Sequence, residues 1–389
     1  MRRLGNYLAA TLAAVAVISL VNSCTWRGQT YDQTMSKPAP APAYVPSPSP
    51  APRIARTGEL RGVWVSDTTK LDWDSATENL RRAGFNTIFA NLASGGAAFY
   101  PNSHALPSVV RDFSDPVARG IDLAHERGLA VDAKQIVTFM FKAPPAFQHQ
   151  LLAANRVMRG PDGRPILQSG FTWLCPSVPA NRALIGASVT EMVKRYPVDG
   201  IQFDYIRFSE QPCCFCENCR REFEQSIGTR VRHWPADVME GPYATKFNEW
   251  RQHEISEWIE DLSSRARLAR PGLAVSAAVF SDLDRAKQEK AQDWKLWLDR
   301  GYVDYVCTMT YTPDMRDFET KVRKEQMWAS QRNKVVVGIG SWKFDRMSQL
   351  TTQILMTRQL GAPGFVLFSY DDAATRNFLP ELGPSTAKF

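Results

Sequence analysis

Val198-Asp199-Gly200-Ile201-Gln202-Phe203-Asp204-Tyr205-Ile206-Arg207-Phe208 is the stretch that decides the architecture of this chain. A β-strand sends alternate side chains to opposite faces. Gly200, Gln202 and Asp204 therefore share one face, and Ile201, Phe203 and Tyr205 the other. The bulky apolar face belongs against helices, which turns Gln202 and Asp204 toward the interior of a barrel. Asp204 then stands near the strand's carboxyl end.

Seven further runs share this grammar: Leu60–Ser66, Phe85–Leu92, Leu129–Val137, Leu273–Phe280, Val303–Tyr311, Lys334–Gly340 and Gly364–Tyr370. Amphipathic helical stretches alternate with them. Gly84, Gly128, Gly301 and Gly361 stand just before the second, third, sixth and eighth runs, where a helix end needs positive φ. Ser114-Asp115-Pro116 starts a helix with proline in its first turn, and Leu350, Ile354 and Leu355 make a one-sided apolar stripe. Eight apolar strands alternating with helices predict a parallel sheet jacketed by helices, and eight strands close a cylinder. No Gly-x-Gly-x-x-Gly follows any run, which disfavours an open nucleotide-binding sheet. The expected fold is a single α/β (β/α)8 TIM barrel over residues 58–389, with an enlarged loop at about 209–245 after strand four.

In such barrels chemistry sits at the carboxyl ends of the strands. Burial of Asp204 there favours its neutral form and suits a general acid. The competing reading is a structural carboxylate paired with Lys134 or Arg207. On strand three, Asp132 and Lys134 share a face and are expected to pair, with Lys134 also a candidate substrate contact.

Leu60-Arg61-Gly62-Val63-Trp64-Val65, Trp173-Leu174-Cys175-Pro176-Ser177 and the strand-four run occur in an order and spacing that resemble the family 10 glycosyl-hydrolase-like proteins, across about residues 58–375. The resemblance implies a bacterial-envelope barrel cleaving a polysaccharide that contains N-acetylhexosamine, such as peptidoglycan glycan strands. It carries Asp204 over as catalytic acid, with Arg61, Trp64, Asn91 and Tyr311 as cleft residues. Lys134, Gln202, Arg207, Trp342 and Tyr370 complete the substrate-binding candidates. The family commonly has Trp near Lys134, and this chain does not. Asp199–Asp204 and Met309-Thr310-Tyr311 are also similar to chitinase-type barrels. There Gln202 replaces an acid and Ile206 stands in place of the proton-donating Glu, so what carries over is Tyr311 as a partner for a substrate acetamido group.

Glycosidases use two carboxyls, roughly 5 Å apart for retention and about 6.5–9.5 Å for inversion. Strand seven ends Val337-Gly338-Ile339-Gly340-Ser341-Trp342 without an acid. Asp67, Glu210, Asp282, Asp314 and Asp371 lie at other strand ends; Asp282, after the adjacent strand five, is the first choice. Substrate-assisted hydrolysis needs one protein acid and an orienting group such as Tyr311. A catalytically silent polysaccharide-binding or scaffolding barrel is the alternative from another class.

Four of the seven cysteines fall in Cys213-Cys214-Phe215-Cys216-Glu217-Asn218-Cys219. Cys214, Cys216 and Cys219, with Cys175, have spacings that suit structural zinc. Disulfides are the equal alternative in an oxidising compartment. No cofactor is expected for catalysis, and Cys307 reads as a core thiol. The five histidines form no metal pair, and no Gly-x-Ser-x-Gly is present.

The chain opens with Met1-Arg2-Arg3 and an apolar stretch ending Val21-Asn22-Ser23-Cys24. This reads as a lipoprotein signal peptide over residues 1–23 and a lipidated Cys24, hence an exported, lipid-anchored envelope protein, expected at the outer membrane. Residues 24–57 form a Pro/Ala/Ser-rich tether. The net charge of +7 is dispersed without a Lys/Arg run, so nucleic acid is not an expected partner. A polysaccharide and, through Cys24, a membrane are.

Overall fold

The computed structural model describes residues 58–110, 114–329 and 332–383. The expected signal peptide, the expected lipidation site Cys24 and the expected tether lie outside the described residues. Eight strands follow in chain order: β1 Leu60–Val65, β2 Thr87–Ala93, β3 Ala130–Ile136, β4 Gly200–Asp204, β5 Ala274–Phe280, β6 Tyr305–Met309, β7 Val335–Gly340 and β8 Gly364–Phe368. Each pairs in parallel with its chain neighbours, and β8 returns to β1, so the sheet is a closed barrel.

The periodicity argument places the core. Outward residues such as Val63, Val131, Ile201, Phe203 and Val275 are buried against the helical jacket. A smaller inner cluster of Trp64, Phe89, Ala278, Cys307, Val336 and Val366 fills the cylinder. Close approach inside it dictates glycine at Gly338, where a Cβ would meet Thr308 O at 2.2 Å and the Trp64 indole at 2.8 Å.

Local chemistry sets the jacket helices. Trp73–Arg82 starts where Asp72 accepts from Ser75 N, and Pro116–Glu126 where Asp115 accepts from Ala118 N with proline in the first turn. The four glycines singled out after helices all have positive φ. Leu350 and Ile354 of the Met347–Gln359 helix are buried, consistent with the stripe.

Two connections on the carboxyl side are long. The expected one spans 205–243 after β4 and contains the helix Glu217–Ile227. The other, residues 137–178 after β3, contains the helix Pro145–Ala153 and short bridges such as Phe139↔Trp173 and Val157↔Leu174. β4 is shorter than the run quoted above because Tyr205 takes a left-handed conformation, φ 51°, and ends the strand directly after Asp204.

Candidate active site

Asp204 is the last residue of β4 and Lys134 sits one strand away on β3, beside Gln202 in register. Their side chains meet inside the barrel mouth: Lys134 Nζ donates to Asp204 Oδ2 at 3.1 Å. The other oxygen, Oδ1, accepts from the Tyr205 N–H at 2.8 Å. Lys134 therefore pairs with Asp204, the pairing that the structural reading of this carboxylate expected, rather than with Asp132. The latter lies two residues lower on β3 and instead accepts from the Tyr305 hydroxyl at 2.9 Å.

These residues line a cavity of about 370 Å³ at the carboxyl ends of the strands, with Trp64, Asn91, Tyr205, Tyr311 and Phe368 around it. Its wall is completed by Phe139, Phe141, Gln168 and Ser169 from the long connection after β3. Aromatic rings thus surround the charged pair, an apolar lining with few polar groups that is characteristic of small-ligand sites. Asn91 Nδ2 donates to Ser66 O at 2.9 Å, leaving Oδ1 buried without a hydrogen-bond partner. Burial and the neighbouring Asp204 charge push the Tyr311 phenol well above its ordinary pKa, so its hydroxyl remains a proton-bearing donor.

Gln202 lies one layer deeper. It accepts from Trp64 Nε1 at 2.5 Å and donates to Ser276 Oγ at 3.2 Å, spanning the barrel from β4 to β1 and β5. It supports the cleft floor and is not among the lining residues. Arg207 is likewise a support: its buried guanidinium lies 4.5 Å from the Tyr205 ring centroid and 5.1 Å from that of Trp173. Trp342 stands at the rim, 39% exposed, with its ring edge-on to Tyr311 at 4.9 Å.

Three expected site residues lie elsewhere. Arg61 is near the start of β1, where Nε donates to Gly84 O at 2.6 Å, and it lines a cavity at the amino ends of the strands. At a rise of roughly 3.3 Å per residue, it sits about 10 Å below Trp64 along β1. Tyr370 follows the end of β8 and turns outward to Asn79, 3.5 Å away, leaving the cleft position to Phe368. Asp282 caps the helix Leu283–Lys290, accepting from Arg285 N at 3.0 Å, and does not line the cavity.

The other acids at strand ends also have local duties. Asp67 pairs with Lys142 at 2.5 Å, Asp371 accepts from Ser66 N at 2.6 Å, Asp314 caps the helix Met315–Trp328, and Glu210 faces Arg207 at 3.6 Å. Among the described residues lining the cavity, Asp204 is the one carboxylate. Strand seven supplies none for a steric reason. Besides Gly338, a Cβ on Gly340 would meet the Trp342 ring at 2.7 Å and Tyr311 Cβ at 3.1 Å.

Phe139, Phe141, Gln168, Ser169 and the inward ring of Tyr205 were missed by the sequence reading. The signal available was the aromatic pair flanking Met140 directly beyond strand three. Beside the cleft, Cys175, Cys214, Cys216 and Cys219 converge, all buried, with their sulphurs within 4.8 Å of one another.

A closed (β/α)8 barrel with a carboxylate in an aromatic cleft at its carboxyl face is an arrangement that glycoside hydrolases use, on a fold that also hosts other chemistries. The chain belongs to the glycosyl hydrolase-like 10 family, whose model matches residues 59–348. It is 23% identical over 347 residues to glycosyl hydrolase DigH of Escherichia coli K12, covering 75% of each chain. It is 19% identical over 290 residues to glycosyl hydrolase YngK of Bacillus subtilis, covering 65% of this chain and 54% of that one. Among solved structures, the glycoside hydrolase domain of PgaB (BpsB) from Bordetella bronchiseptica superposes with a TM-score of 0.66 at 15% identity, covering 85% of this chain and 97% of that one. The β-galactosidase of Rahnella sp. R3 gives 0.62 at 15%, covering 87% and 57%. At these identities the structural likeness speaks for the fold.

Proposed function

We propose that this protein hydrolyses glycosidic bonds in an N-acetylhexosamine-containing polysaccharide of the bacterial envelope, peptidoglycan glycan strands being the first candidate, with Asp204 as general acid. The carrying observation is that Asp204, the one carboxylate among the described cleft-lining residues, lies at the carboxyl end of the barrel within an aromatic enclosure. With no second carboxylate in that lining, the reading that fits is substrate-assisted hydrolysis. The substrate's own acetamido oxygen attacks the anomeric carbon as its bond to the leaving oxygen breaks and Asp204 protonates that oxygen; a water then opens the cyclic intermediate and returns a proton to Asp204. Tyr311 donates its hydroxyl proton to orient the acetamido group, and the flanking rings hold the sugar faces. At rest the proton of this pair sits on Lys134, and it reaches the leaving oxygen through Asp204, whose Oδ2 lies 3.1 Å from Lys134 Nζ.

The same lack of a second acid favours one rival, a barrel that binds glycan without cutting it. Purified full-length chain incubated with denuded N-acetylated glycan strands, and with the same strands after de-N-acetylation, separates the two. Hydrolysis predicts new reducing ends by mass spectrometry from the acetylated strands alone. Retention of glycan with no new ends after prolonged incubation supports the binding reading. For location, we propose a lipid anchor at Cys24 and residence in the outer membrane. Cys24→Ala then releases the chain from the membrane fraction and abolishes incorporation of radiolabelled palmitate.

A further inference from the structure

We propose that Cys175, Cys214, Cys216 and Cys219 form a closed structural zinc site that staples the two long connections bordering the cleft. The four sulphurs come from separate parts of the chain: Cys175 from the connection after β3, the other three from the connection after β4. Cys175 Sγ lies 3.6 Å from Cys216 Sγ, 3.5 Å from Cys219 Sγ and 3.9 Å from Cys214 Sγ. Ligands about 2.3 Å from a zinc ion at the centre of a tetrahedron lie about 3.8 Å from one another, so these separations are those of a tetrathiolate cage. Disulfide bonding would divide the four into two pairs, whereas here one sulphur is almost equally distant from three others.

Hydrogen-bonding groups surround the sulphurs. The Arg159 N–H donates to Cys214 Sγ at 3.3 Å, and Ser177 Oγ lies 3.5 Å from Cys219 Sγ. Such outer hydrogen bonds orient metal ligands and spread their charge. Cys216 occupies the N-cap position of the helix Glu217–Ile227, without a side-chain capping bond, and Cys219 lies in its first turn, where the helix dipole favours negative charge. The Arg251 guanidinium donates to Cys213 O at 2.8 Å, beside the group. None of the four ligands is more than 4% exposed, and among the described residues no histidine or carboxylate joins the group. That leaves no open position for a reactive water, so the site is structural.

Its effect on the cleft is mechanical. Gln168 and Ser169 line the cavity from the connection carrying Cys175, and Tyr205 opens the connection carrying the other three. A metal joining both fixes that wall of the cleft.

The test uses the full chain purified without chelator. Elemental analysis is expected to give one zinc per chain, with zinc-edge absorption fitting a shell of four sulphurs at about 2.3 Å. Cobalt-exchanged protein should show thiolate-to-metal charge-transfer absorption. The double variant Cys216→Ser/Cys219→Ser should lose the metal and the cobalt signal. Should that variant not fold, thiol titration of the wild-type chain still decides. Cys213 and Cys307 are buried thiols that react on denaturation in any case. Zinc predicts that the four ligand thiols react together with release of one zinc per chain to a metallochromic indicator, whereas disulfides give no such thiols and free cysteines release no metal. Metal-free protein, whether its four cysteines are disulfide-linked or free, overturns the proposal.

Discussion

Lys134 Nζ and Asp204 Oδ2 meet at 3.1 Å on the inner wall of the barrel, with side chains only 3% and 11% exposed. Two opposite charges so enclosed depend on one another. Removing one partner of a buried pair leaves an uncompensated charge, at about 3–5 kcal/mol. Lys134→Met should therefore lower the unfolding free energy measured in urea by an amount in that range. Lys134→Met/Asp204→Asn should recover most of the loss, and independent, additive effects in the double-mutant cycle would show the pair to be uncoupled.

Gln202 predicts a different outcome, because it acts beneath the cleft. Gln202→Leu removes the acceptor from Trp64 Nε1 and leaves a buried N–H unpaired, a cost of about 1–3 kcal/mol. Stability should fall by that amount in chemical denaturation. Glycan binding should weaken as the Trp64 ring loses its anchor, read as a raised KM with a smaller change in kcat.

Outside the site, Glu325 is fully buried between β6 and the Met315–Trp328 helix, accepting from Thr308 and Thr310 hydroxyls at 2.8 and 2.7 Å. Burial raises its pKa from 4.5 to about 7 despite those hydrogen bonds. The folded state therefore binds more protons than the unfolded state between these values, and its stability falls as pH rises from about 4.5 to about 7. At about 1.4 kcal/mol per pKa unit, this contribution is of order 3 kcal/mol and is fully lost above about pH 7. Glu325→Gln should flatten that part of the stability–pH curve and raise the melting temperature at pH 8. An unchanged slope in the variant would assign the pH dependence to other groups.

Gly338→Ala should destabilise the barrel although alanine is small and apolar. Its methyl would meet Thr308 O at 2.2 Å, a backbone atom that cannot swing aside. Overpacking of this kind costs about 1–3 kcal/mol. The accompanying displacement of Trp64 should appear as a shift in tryptophan fluorescence; wild-type stability with an unshifted spectrum would contradict it.

Much of the fold was legible because it rests on periodicity. Each β-branched run overlaps a strand, and the glycines before four of them do end helices with positive φ. Strand four shows where that reading stops. Alternation assigns Tyr205 to the helix-facing side, but its φ of 51° breaks the period and brings its ring to the cleft. Arg61 shows a different limit: a motif groups residues by sequence, while a strand separates them along the barrel axis. Asp282 looked well placed after strand five, yet a carboxylate just before a helix finds the free N–H groups of the first turn. The wall built from residues 139–169 depends on how a long connection folds back, and no short periodic signal encodes that.

The most direct measurement is the turnover of N-acetylated glycan strands by Asp204→Asn, with folding checked by circular dichroism. Asparagine keeps the shape of the side chain and removes its acid. Loss of general acid catalysis predicts a fall in kcat of about 10²–10⁴-fold with glycan binding retained. Wild-type turnover in a folded Asp204→Asn protein would contradict the account.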